Sequence, residues 1–161
     1  MNKKYKPITT EYAQTSLNNW LNNKIFTHML TIKLPLWAIT SSLNEANDVL
    51  YKIAKHFEKA LIGRAWHKHP LHFVGLAELG KHKVWHWHLL LWAQEYTDEQ
   101  LQNAVKKTIK SMNLTEKRLH LCPIEYAPDY LKSYCVKEVV VDKNGHFNTD
   151  RFICSDVLFF N

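Results

Sequence analysis

The sequence contains no run of 18 apolar residues, so no segment reads as a membrane-spanning helix. The opening MNKKYKPITTEYAQ carries lysines with no apolar stretch behind them, and no secretory signal is expected. Cysteine is scarce. Cys122, Cys135 and Cys154 form no CxxC and leave an odd number, so they read as small buried hydrophobes in a reducing compartment, and a cytoplasmic setting is expected. Internal repeats and low-complexity tracts are absent. What is present is 161 residues, the length of one domain with a real core, with 46% hydrophobic and 12% aromatic content, which excludes a disordered chain. The formal charge of +6 favours a polyanionic partner, nucleic acid ahead of a membrane surface.

Patterning along the chain alternates strand and helix periods. Residues 1–24 are polar and Asn-rich and read as a short helix or an arm. IFTHMLTIKLP (25–35) is β-branched and alternating: Phe26, Leu30, Ile32 and Leu34 take one face, and Thr27, Thr31 and Lys33 the other. Residues 40–63 predict a helix with Ser41 or Ser42 as cap, Leu50, Ile53 and Phe57 in its stripe, and Gly63 at its end. Strands follow at 69–80 and 83–93, joined as an antiparallel hairpin. A second amphipathic helix is expected over 97–112, with its acids first and its lysines later. KRLHLCPIEY (117–126) reads as a fourth strand that Pro123 pushes toward an edge, and 127–140 as a short helix opening on Pro128. The last apolar segment has no assignment. The order β-α-β-β-α-β is a ferredoxin-like α+β arrangement: an antiparallel sheet with two helices on one face, the other face open, and a tyrosine-bearing helix beside it.

KVWHWHLLLW (83–92) raises the chemical question, because an apolar strand carries His86 and His88. Two residues apart on a strand, they share a face about 7 Å apart along it, while Trp85, Trp87, Leu89 and Leu91 take the helix side. Parallel imidazoles make a claw for a divalent cation. They can also be plain polar residues of a sheet face in a chain with ten histidines; HKH at 67–69 is such a decoy. Glu78 is the only acid of the preceding strand. A three-residue loop of Lys81, His82 and Lys83 pairs it with His86, whereas an even loop would bury an unpaired carboxylate among the helices. Two His and one Glu suit Mg²⁺ or Mn²⁺, since zinc more often recruits cysteine. Further on, Tyr130, Tyr134 and Lys137 fall on one helical face, either as packing residues or as a nucleophile with a cation beside it.

These motifs in this order resemble the HUH endonucleases, particularly the nuclease domain of rolling-circle replication initiators: FTHMLTI as a first motif, HWH with Trp87 as the hydrophobic residue, and YCVK as YxxK. The resemblance covers about 25–140 within a single expected domain of residues 1–161. It implies that Glu78, His86 and His88 hold a divalent metal (Mn²⁺ or Mg²⁺), that Tyr134 attacks single-stranded DNA at a replication origin to give a 5′-phosphotyrosine, and that Lys137 assists it. Tyr130 would be a second nucleophile, as in two-tyrosine members, although Ser133 stands where its lysine would be. Thr27, Thr31, Lys33, Arg64, Lys81 and Lys83 would contact DNA. Lys106, Lys107 and Lys110 read as the solvated face of a helix. No GxxxxGK[ST] occurs, so unwinding would fall to a host helicase or to chain outside these residues.

Two other readings compete. A single-tyrosine HUH transposase or relaxase would use the same chemistry. A non-catalytic nucleic-acid-binding module would instead turn Trp85 and Trp87 outward to stack bases, sending both histidines into the core.

Overall fold

The computed structural model describes residues 8–68, 71–80, 82–124, 136–137, 139–143 and 151–155. Its elements are α1 (Thr10–Asn22), β1 (His28–Lys33), α2 (Leu43–Ile62), β2 (His72–Leu79), β3 (Trp85–Trp92), α3 (Asp98–Ser111), β4 (Leu119–Pro123) and β5 (Phe152–Cys154). The strands form one antiparallel sheet in the order β4-β1-β3-β2-β5. Its first four strands have the expected ferredoxin-like order, and β4, with Pro123 at its end, lies on an edge.

The helix ends follow local chemistry. Ser42 accepts a hydrogen bond from the Glu45 amide at 3.4 Å to start α2, and Gly63, at φ 75°, ends it. Thr97 and Gln100 form a capping box on α3. Lys106, Lys107 and Lys110 are exposed along that helix, as its amphipathic pattern predicts.

α2 and α3 bury their stripes on one sheet face. Leu50, Ile53 and Phe57 of α2 and Leu101 of α3 meet Leu30, Ile32, Trp85, Trp87, Leu89 and Leu91. Trp87 is fully buried and donates its indole N–H to Asn47 Oδ1 at 3.2 Å; Trp85 donates to the Ser41 carbonyl at 3.4 Å. The strand phase is therefore the one that turns the histidines away from the helices.

The second face is only partly open, which corrects the expectation of a free face. Met29, Val74, Leu76 and Leu90 are buried there beneath Ala13 and Leu21 of α1, Val136 and Val139. The reason lies in β2, whose residues Phe73 to Ala77 are buried on both faces and need cover on both. The polar N-terminal stretch thus supplies a helix that closes a second core. The tail left unassigned from sequence includes β5, which pairs with β2 through Val74, Gly75 and Leu76. Cys122 and Cys154 are free thiols, half-buried against the second core rather than fully buried. The turn expected at Asn144–Gly145 lies outside the described residues. So does most of the helix expected over 127–140, including Tyr130, Tyr134 and Cys135. Among the described residues no helix is long and apolar enough to cross a membrane.

Candidate metal centre

The hairpin register decides which side chains meet. Glu78 pairs with His86 and Leu79 with Trp85, and the Gly80 amide donates to the Val84 carbonyl at 3.1 Å. Three residues, 81–83, therefore make the turn, with Lys83 at φ 55°. This odd loop puts the Glu78 carboxylate on the same face as both imidazoles, as the cost of burying a lone charge predicts. Glycines permit close approach at two points. A side chain at Gly75 would run into the His88 carbonyl and the Leu89 side chain, and one at Gly80 would press on the His86 ring at 3.3 Å.

His86 Nε2 lies 3.3 Å and His88 Nε2 3.8 Å from the same carboxylate oxygen, Glu78 Oε2. One donor atom from each of the three residues falls within 4.8 Å of the others. Separations of about 3 to 4 Å are what ligands of a single ion with bonds of about 2.1 Å show. The rings stand nearly edge to face, centroids 5.2 Å apart. Side-chain exposures of 13 to 20% keep the three groups half-sheltered from water and within reach of a ligand.

Two neighbours tune this group. Thr31, the register partner of His88 on β1, places Oγ1 at 3.1 Å from His88 Nδ1. With the Nδ1 proton donated to that hydroxyl, the Nε2 lone pair faces the carboxylate, the tautomer that metal ligation needs. Burial, then His86, lowers the His88 pKa to about 4, with Lys137 and Lys33 adding to the effect against Glu78. Near neutral pH His88 is consequently an uncharged donor. Lys137 reaches the centre from the other end of the chain, its ammonium 3.0 Å from both Glu78 oxygens. The half-buried carboxylate thereby has its countercharge. The donor set fits a divalent cation: one anionic oxygen and two neutral imidazole nitrogens, converging and oriented.

The lowered pKa has a consequence for stability. Between pH 6.5 and about 4 the unfolded chain takes up a proton at residue 88 and the folded chain does not. Metal-free protein thus loses stability as pH falls through that window and levels off below it. Chelator-treated wild type should lose more unfolding free energy between pH 7 and 5 than His88→Gln, in urea titrations; parallel losses would contradict the assignment.

The other expected site residues divide by position. Lys33 lies beside the centre as the register partner of His86, and Lys83 is exposed in the hairpin turn. Thr27 stands one residue before β1, at the far end of that strand from Lys33; its hydroxyl accepts from the Ala93 amide at 3.3 Å. Arg64 follows α2 in the connection into the start of β2, whereas Glu78 is near that strand's other end. Lys81 lies outside the described residues, as do both tyrosines. His28, unexplained on the apolar phase of β1, is 5% exposed, with Nδ1 3.0 Å from Thr27 Oγ1 and Nε2 3.0 Å from Asp98 Oδ1. It ties the strand to the first turn of α3 and leaves the metal to other residues.

Sequence reasoning missed Thr31 as the orienting partner of His88 and Lys137 as the partner of Glu78. The period-2 threonines of β1 were the signal for the first. The second joins residues 59 apart and has no local signature.

No curated protein and no solved structure matches the chain significantly. A family model does: that of the replication-associated protein ORF2 family matches residues 27–139, from the threonine before β1 to the segment that holds Lys137. With that match over more than half its length, the chain belongs to the replication-associated protein ORF2 family.

Proposed function

We propose that this chain nicks and rejoins single-stranded DNA at a replication origin, starting rolling-circle replication of a plasmid or phage. The observation that carries the reading is the convergence of Glu78, His86 and His88 on the open part of the sheet in a chain of a replication-associated family. The domain would span residues 1–161, with its core at about 25–140.

Glu78, His86 and His88 would hold Mn²⁺ or Mg²⁺, which when bound supplies Lewis acidity and a template for the scissile phosphate. Tyr134 provides the nucleophile. Its phenol oxygen attacks phosphorus, a tyrosine–phosphorus ester bond forms, and the bond to the 3′ oxygen breaks. The phenol proton passes to solvent, and the departing 3′ oxygen takes one up. The product is a 5′-phosphotyrosine with a 3′-hydroxyl available to a polymerase. Attack by a 3′-hydroxyl on that ester reverses the step and reseals a strand, which is why an ester rather than hydrolysis suits joining. Lys137 follows Tyr134 by three residues, and its contact with Glu78 supports a place for this segment at the centre. Its ammonium favours phenolate and offsets phosphate charge. Tyr130 would serve a second cleavage. Thr31, Lys33, Lys81 and Lys83 would line the strand's path, with Thr27 and Arg64 as outlying contacts; a host helicase would open the duplex.

Inward Trp85 and Trp87 weigh against the bare binding module, which needs them exposed. The test is cleavage of a labelled random single-stranded pool on a denaturing gel. Nicking in Mn²⁺, its loss in chelator and its return on adding metal back are expected. Cleavage that persists in chelator would contradict the reading.

A further inference from the structure

A cleft of about 910 Å³ opens beside the metal centre, between the turn after β1, the β2–β3 hairpin and the connection from α3 to β4. It shares a wall with the centre, because His86 and its register partner Lys33 both line it. Its apolar surface comes from one short stretch. Leu36, Trp37 and Ile39 are 74, 59 and 48% exposed, in and beside the one-turn 3-10 helix Leu36–Ala38. Large apolar side chains displayed together on one turn mark a surface that something covers.

The rim says what covers it. Lys33, Lys117 and Arg118 line the cleft, and among the described lining residues there is no carboxylate. Arg118 Nη1 donates to the Leu34 carbonyl at 2.8 Å, which holds the guanidinium at the lip. An aromatic plane framed by cations and free of acids matches an unstacked nucleobase flanked by its phosphates. An apolar peptide or a second copy would satisfy the floor and leave three cations unmatched.

We propose that this cleft receives single-stranded DNA on its way to the metal centre: a nucleobase stacks on the Trp37 indole, and the adjoining phosphates face Lys33, Lys117 and Arg118. The inference rests on the reading that single-stranded DNA is the substrate, and adds the site that grips a base next to the cut. Base stacking tolerates any sequence, so Trp37 supplies grip rather than origin choice.

The test uses the full chain and a fluorescein-labelled oligothymidine, with an abasic-spacer strand of equal length as control, read by anisotropy in chelator. Trp37→Ala should weaken oligothymidine binding about tenfold or more and leave the abasic strand unaffected, and Trp37→Phe should retain most of the affinity. Arg118→Ala and Lys117→Ala should each flatten the salt dependence by about 0.7 in the log–log slope. Thermal melts confirm folding, and the exposed position of Trp37 predicts little change in them. Wild type is run in parallel with Mn²⁺ for covalent adduct. Adduct formation with Trp37→Ala binding like wild type overturns the cleft assignment and leaves nicking standing. Equal losses on both strands overturn stacking. A change in sedimentation of free Trp37→Ala with DNA binding unaltered gives the cleft to a second copy and overturns the proposal. Wild type that neither binds nor forms adduct overturns both readings.

Discussion

Tyr134→Phe loses strand nicking by at least about a thousandfold while Mn²⁺ binding persists, because the substitution removes one oxygen and keeps the ring. That oxygen is the proposed nucleophile, and no neighbouring group can donate its equivalent to phosphorus in the same linkage. Tyr130, one helical turn earlier in sequence, has Ser133 rather than a lysine three residues on, so Tyr130→Phe should keep the first nick. The comparison is a set of single-turnover rates on denaturing gels. If Tyr134→Phe nicks at the wild-type rate, the attacking group is elsewhere. Water would then be the first suspect, since a divalent ion at this centre could activate it.

Glu78→Gln should lower Mn²⁺ affinity about 100-fold or more, measured by calorimetry at pH 7, and should take metal-dependent nicking with it. Glu78 is the one anionic donor of the set, and both imidazole nitrogens and Lys137 converge on it. An amide of the same shape leaves two neutral nitrogens facing a divalent ion with no charge to balance it, next to an ammonium that has lost its partner. The fold should survive, because Lys137 is 36% exposed and water can hydrate it. Unchanged Mn²⁺ affinity would move the metal site away from β2 and β3.

Much of this architecture was readable because local patterns carried physical necessity. Trp85 and Trp87 had to face the helices for the amphipathic stripes of α2 and α3 to find cover, and that phase alone turned His86 and His88 outward. Glu78 could join them only through an odd loop, and the alternative buried a charge. The order of strands followed from a hairpin too short for any other pairing. Features that eluded sequence depend on contacts between distant segments. α1 looks polar along the chain, yet Ala13 and Leu21 meet a second core that forms only when Val74 and Leu90 are neighbours across the sheet. β5 is a three-residue strand whose assignment depends on its partner β2. His28 looked like an error of phase until α3 brought Asp98 to it. Thr31 became an orienting group only through the β1–β3 register that sets it beside His88. Lys137 was expected beside a tyrosine, and its contact with Glu78 adds a link between the YCVK stretch and the metal ligands.

The measurement that bears most directly on the account is mass spectrometry of wild-type protein after incubation with Mn²⁺ and a single-stranded DNA pool. Intact mass, followed by nuclease trimming and peptide mapping, reads the covalent linkage itself. The account predicts a nucleotide phosphate joined to the peptide that contains Tyr134, formed only with metal and missing from His88→Ala. Cleaved DNA with unmodified protein would contradict it, and so would a phosphate carried on any residue other than the two tyrosines of this stretch.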